Sequence, residues 1–193
     1  MALLIGSEKI KTAVFISGNG SNLKALIKFS KLKKSPISIN LIISNNAKSK
    51  GLNYSSIYKI KKKIFDFENK NLAEKKILRE LKKEKINLIC LAGFMKILSE
   101  KFIKNFKGKI LNIHPSLLPK FKGLNTHRRA IKNKEIYSGC TVHFVNSKLD
   151  SGKIILQKKV KILKNETPKS LSKKILVQEH KLYPKAIIKI FRH

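Results

Sequence analysis

A doubly wound α/β fold, with a mostly parallel sheet, helices on both faces and an antiparallel portion, is the class that this 193-residue sequence predicts. Three observations point to it. Short β-branched runs alternate with amphipathic segments through the first half, Leu88 to Ala92 is apolar at every position, and two further apolar runs lie close together after residue 139. Alternation of the first kind builds right-handed parallel crossovers, and an all-apolar strand needs cover on both faces. Two runs joined by a short turn-rich segment form an antiparallel pair.

Thr12 to Ser17 (TAVFIS) reads as the first strand, closed by Gly18, and Ser21 to Leu32 as the first helix, with Leu23, Leu26, Ile27 and Phe29 on its apolar face. Ile37 to Ile43 is a second strand, Ser44 to Gly51 a polar turn region, and Ile64 to Phe67 a short strand. Asn71 to Lys85 is an amphipathic helix whose charge run faces solvent. Leu88 to Ala92 follows as a strand, then a helical segment over Ile97 to Phe106 and a strand from Lys109 to His114, which Pro115 ends. Pro115 to Thr126 is a loop. Cys140 to Val145 and Ile154 to Ile162 are strands joined by Asn146 to Gly152, and Pro168 to Phe191 is a helix with a break near Pro184. One domain is expected over 1–193, with residues 1–10 a flexible N-terminal extension. In a sheet of this type the working crevice lies beyond the carboxyl ends of the strands.

Hydrophobic content of 42% with ten Phe is globular composition. No apolar run approaches the roughly 18 residues that cross a bilayer, and the first ten residues lack the basic and apolar regions of a leader, so a cytoplasmic protein without membrane contact is expected. Cys90 and Cys140 form neither a metal spacing nor a disulfide framework and read as buried thiols. The formal charge of +33 suggests nucleic acid, but only four of the 44 basic residues are arginines. There is no Trp and no recognition motif, so the lysines read as solvation, with a field that concentrates small polyanions and no specific nucleic-acid partner.

Three constellations could carry chemistry. Ser17 to Asn22 (SGNGSN) joins a strand to a helix and suits either a phosphate at the helix N-terminus or a tight turn. It is neither a Walker loop nor a complete dinucleotide fingerprint, so ATP and NAD are not expected. A side chain at Gly20 is expected to block close approach of the anion. Asn112 and His114 alternate onto one side of a strand end, where they are either an oxyanion donor with a proton carrier or a satisfied polar strand end. Asp150 lies in a turn-like segment, and if that loop sits beside the strand its charge would favour imidazolium at His114. His127, His143, His180 and His193 show no metal spacing, so no metal is expected, and Cys140 and His143 are assigned to structure.

Taken in order, Ile16 to Leu23 (ISGNGSNL), Leu91 to Leu98 (LAGFMKIL), Leu111 to Pro119 (LNIHPSLLP) and Asp150 with Gly152 closely resemble the phosphoribosylglycinamide formyltransferases, the folate-dependent enzymes of purine synthesis. The resemblance runs from about Lys11 to Pro184 and implies a Rossmann-like sheet of the formyltransferase type. It implies 10-formyltetrahydrofolate as co-substrate and phosphoribosylglycinamide as acceptor. The implied acceptor site comprises Gly20, Ser21, Asn22, Leu23, Lys24 and Glu179. Folate is implied to lie on Lys70, Met95, Lys96, Ile97, Leu98, Asn112 and the segment Asn146, Ser147, Lys148, Leu149 and Asp150, with Asn112, His114 and Asp150 performing the transfer.

Related folate enzymes share Asn-x-His-Pro-Ser, so another formyl transferase or hydrolase of the superfamily is the alternative, and a basic nucleic-acid-binding module the alternative from another class. Lys120 to His127 (KFKGLNTH) resembles the glycinamide ribonucleotide branch. Asn125 stands where that family often has His. Lys70 and Lys96 stand where Arg is expected, keeping charge without the planar fork. A monomer or weak homodimer is expected.

Overall fold

The computed structural model describes residues 8–191. Residues 1–7 of the expected N-terminal extension lie outside them, and the first strand begins within the remainder, at Ile10. The elements are β1 (Ile10–Ile16), α1 (Ser21–Ser30), β2 (Ile37–Ser44), a 3₁₀ turn (Lys50–Leu52), α2 (Asn53–Tyr58), β3 (Lys61–Ile64) and α3 (Lys70–Lys83). There follow β4 (Leu88–Leu91), α4 (Glu100–Asn105), β5 (Lys109–His114), α5 (Thr126–Lys132), β6 (Tyr137–Phe144), β7 (Ile154–Lys161) and α6 (Pro168–Phe191).

One seven-stranded sheet runs in the order β3-β2-β1-β4-β5-β6-β7. The pairs from β3 to β5 are parallel, while β5 with β6 and β6 with β7 are antiparallel, as the sequence predicts. Alternation along β1 divides the core between the two faces. Val14 and Ile16 join Leu23, Leu26 and Ile27 of α1 and Tyr183 and Ile187 of α6. Ala13 and Phe15 join Ile77 and Leu81 of α3 and Phe102 of α4. The thiols of Cys90 and Cys140 are fully buried, and burial pushes both up to about 12.

Several boundaries differ from the sequence reading. The third strand is Lys61–Ile64 rather than Ile64 to Phe67. It is an edge strand paired only to β2, and its three lysines hide it from an apolar criterion. The region expected as turn carries the 3₁₀ turn, and α2 follows it; α5 begins at the end of the expected loop. Helix α6 continues through Pro184 without the expected break. Proline forfeits one backbone hydrogen bond there, but Tyr183, Ala186 and Ile187 around it are wholly buried, and that packing outweighs the loss.

Tyr183 also ties the helix to the sheet, its hydroxyl lying 3.1 Å from both the Leu91 carbonyl at the end of β4 and the Leu111 carbonyl within β5. On the other side of the crevice the loop after β1 packs against the 3₁₀ turn. Gly51 N–H donates to Gly18 O at 3.0 Å, and a Cβ on Gly51 would stand 2.6 Å from Ile16 Cδ1 and 3.0 Å from Gly20 Cα. Gly51→Ala is therefore expected to cost about 1–3 kcal/mol by overpacking. Thermal unfolding checks this, and unchanged stability would show that the two loops separate freely.

Candidate active site

Beyond the carboxyl ends of β4 and β5 lies a cavity of about 890 Å³. Asn112, His114, Asp150 and His143 meet on its wall. Strand alternation supplies the first two, and β6 supplies His143 directly opposite Asn112 in the antiparallel register. The turn after β6 brings in Asp150, whose backbone is left-handed at φ 44, so that its carboxylate faces inward. Asp150 Oδ2 lies 3.3 Å from His114 Nδ1 and accepts the Gly123 N–H at 2.9 Å. The loop after β5 closes the other side, with the Phe121 carbonyl 2.9 Å from His114 Nε2.

His143 Nδ1 lies 2.7 Å from the Phe144 carbonyl, and its Nε2 lies 3.2 Å from Asn112 Nδ2 and 3.7 Å from Asp150 Oδ1. An Asn112 N–H points to Asp150 Oδ1 at 3.4 Å. Burial pushes the Asp150 carboxyl up, yet His143, the Gly123 N–H and His114 outweigh it and hold the carboxyl below its ordinary value. Asp150 raises the His114 pKa, as the sequence reading expects, and the Phe121 carbonyl raises it too, but burial lowers it by more, so the net direction is downward.

Met95, Ile97, Leu124 and Leu149 give the lining exposed apolar surface, and Lys96, Leu98, Asn146, Ser147 and Lys148 line it too. Asn22, Thr126, His127 and Glu179 contribute polar groups to the lining. Of the remaining sequence candidates, Gly20, Ser21, Leu23 and Lys24 form the start of α1 and Lys70 the start of α3, and none is among the lining residues. Gly20 caps α1 in a left-handed conformation without a side chain, so the amides of Ser21, Asn22 and Leu23 precede the first intrahelical bond, from Lys24 N to Gly20 O. Leu23 is wholly buried in the core, leaving only its backbone for a ligand. A Cβ on Gly20 would meet Gly51 Cα at 2.8 Å, so the packing of the two loops itself requires a glycine here.

Glu179 reaches the cavity from α6 and accepts from Asn22 Nδ2 at 2.7 Å. Burial pushes its carboxyl up to about 7, against the lowering effect of Asn22. His143 was assigned to structure by sequence and is placed by the structure in the site; its alternation with Thr141 was legible, but its register against Asn112 was not. Phe94, Thr126, His127 and Val145 also line the cavity; the first three lie within the segments Leu91 to Leu98 and Lys120 to His127, where the sequence reading assigns them no site role. No group of three or more His, Cys, Asp or Glu side chains among the described residues could hold a metal ion, and no described helix is long and apolar enough to cross a membrane.

Residues 10–187 match the formyl transferase family, and the chain belongs to it. Among its relatives, phosphoribosylglycinamide formyltransferase of Escherichia coli (strain K12) is 38% identical over 177 residues, covering 90% of this chain and 84% of that protein. The trifunctional purine biosynthetic protein adenosine-3 of Homo sapiens is 41% identical over 183 residues, which make up 93% of this chain but only 18% of the human protein. The crystal structure of phosphoribosylglycinamide formyltransferase from Brucella melitensis superposes with a TM-score of 0.91 at 40% identity, covering 96% of this chain and 97% of that one.

Glu179 generates a pH prediction. Its folded pKa of about 7 exceeds the ordinary 4.5, so the folded state holds the extra proton between those values and stability falls as pH rises through that window. Glu179→Gln removes the dependence. The stability of the wild type relative to this variant should fall by about 2–3 kcal/mol between pH 4.5 and 8. Parallel denaturation curves at the two pH values would refute the assignment.

Proposed function

We propose that the protein transfers the formyl group of 10-formyltetrahydrofolate to the glycine amine of phosphoribosylglycinamide, giving the formylated ribonucleotide and tetrahydrofolate. The observation that carries this reading is the convergence of Asn112, His114 and Asp150 on one wall of a cavity with both exposed apolar residues and buried polar groups in its lining. The names of the relatives support the acceptor.

A folate fits the residues present. Met95, Ile97, Leu124 and Leu149 offer apolar surface for a flat ring, Leu98 anchors its segment in the core, and Lys96 and Lys148 can meet carboxylates. When bound, 10-formyltetrahydrofolate supplies the formyl group. At the other substrate, the first amides of α1 with Lys24 suit a phosphate, while Glu179 and Asn22 suit hydrogen-bond donors of the acceptor. Lys70, at the start of α3, is held in reserve as a longer-range cation for the donor's acidic tail.

Transfer requires a donor for the oxygen that becomes negative as the amine adds to the formyl carbon. In the free site His114 Nε2 lies 2.9 Å from the Phe121 carbonyl, and to serve as the donor it exchanges that carbonyl for the formyl oxygen. Asn112 directs its amide hydrogens toward the same cluster. Asp150 stabilises positive charge on His114 and orders the water through which the amine loses its proton; the bond from the formyl carbon to N10 of the donor then breaks, and N10 takes up a proton as tetrahydrofolate leaves. Holding both substrates in one cavity supplies much of the remaining acceleration.

Assay of the purified protein with the formyl donor and phosphoribosylglycinamide, methionyl-tRNA or water as acceptor tests the reading. Transfer to phosphoribosylglycinamide is expected, and transfer only to another acceptor would overturn it. His114→Ala is expected to lower kcat by about 10²–10³. Asp150→Asn should also slow transfer and lower the His114 pKa further, because a raising charge is lost; NMR titration of the ring checks the direction. Since His143 orients Asn112, His143→Gln is expected to lower kcat with modest change in KM, whereas Cys140→Ser should change stability alone.

A further inference from the structure

The strand order reverses between β1 and β4, and Ser17 sits immediately after β1 at that switch point. Its backbone N–H donates to the Gly93 carbonyl at 3.1 Å, and the Met95 N–H donates to its hydroxyl oxygen at 2.8 Å. The hydroxyl proton goes to Asn45 Oδ1 after β2, and the Ser17 carbonyl accepts from Asn46 Nδ2 at 3.3 Å. A hydroxyl has a single proton, so donation to Asn45 fixes its rotor and turns a lone pair toward Met95. The ends of β1, β2 and β4 are thereby joined through one small side chain.

The segment that receives this tie has little else to hold it. Residues 93–98 form no helix or strand, and Met95 and Ile97 are 64% and 59% exposed. Phe94, packed edge-on to Phe15 and Phe67, and buried Leu98 anchor the segment, but neither sets the backbone orientation at Met95. We propose that Ser17, although it belongs to the acceptor loop, is a positioning residue for the formyl donor, fixing the backbone at Met95 from outside the cavity lining. This role rests on the reading of residues 95–98 as the folate segment.

Ser17→Ala removes the hydroxyl and leaves the backbone bond to Gly93. The expected result is a rise of about tenfold in the donor KM, the effect of one net hydrogen bond, with the acceptor KM and kcat changed less than about twofold. Asn45→Ala, which frees the rotor, should raise the donor KM by less, and the double variant should add nothing beyond Ser17→Ala. By amide hydrogen exchange, Met95 should lose protection in Ser17→Ala while β1 and β4 keep theirs. An active Ser17→Ala with an unchanged donor KM, or one in which both KM values rise together with falling thermal stability, would overturn the positioning role alone. A wild-type protein that transfers no formyl group would overturn the site reading and this role with it, whatever the Met95 amide shows.

Discussion

A carboxylate buried to 91% must be compensated, and the Asp150 carboxylate organises the site around that requirement. Its partners come from different parts of the chain: His114 and Asn112 from β5, Gly123 from the loop after β5, and His143 from β6. The β5 strand, its following loop and the β6–β7 turn are therefore held together by one ion. The same compensation holds the carboxyl below its ordinary value beside an imidazole on which burial and the Asp150 charge act in opposite directions. The negative charge lies 3.3 Å from the ring, in place to stabilise positive charge there.

The opposite carboxylate follows different physics. Glu179 has Asn22 as its one hydrogen-bonded side-chain partner, and burial dominates it, so it titrates near neutrality whereas Asp150 stays ionised. Two acids in one cavity thus differ because one is surrounded by donors and the other is chiefly desolvated. Helix α6 carries Glu179 and, one turn on, Tyr183, whose hydroxyl meets the carbonyls preceding Ala92 and Asn112. Rotation of that helix would disturb the Glu179–Asn22 pair and the strand bearing Asn112 together, and its uninterrupted passage through Pro184 keeps both registered.

The sheet class, the antiparallel portion and every strand with an apolar signature were legible because alternation and continuous apolar runs report burial directly. The edge strand Lys61–Ile64 was not, since an edge with three lysines resembles a charged loop. The short helices α2 and α5, of six and seven residues, are too brief to show a helical period. Within the site, Asn112 and His114 followed from strand alternation, and the location of Asp150 in a loop followed from turn chemistry. The meeting of His143 with Asn112 depends on register between β5 and β6, a property of two strands that neither strand encodes alone. The net effect on the His114 pKa depends on the balance of burial against charge, and only coordinates give burial.

The large positive charge has a structural use that requires no nucleic acid. Both sheet edges are lysine-rich: β3 carries Lys61, Lys62 and Lys63, and β7 carries Lys158, Lys159 and Lys161. Charge along an exposed edge opposes strand addition by another chain. Several of the eleven acids are matched to that cationic surface: Glu80 and Glu84 pair with Lys61, Glu135 with Lys120, and Glu166 with Lys174. Glu74 is buried and accepts from Ser99. Asp150 and Glu179 are the acids that line the cavity. In a protein whose long-range field attracts anions, carboxylates at these two points create local preference for donors and developing positive charge. The field can gather anionic substrates, while the cavity selects the end that reacts.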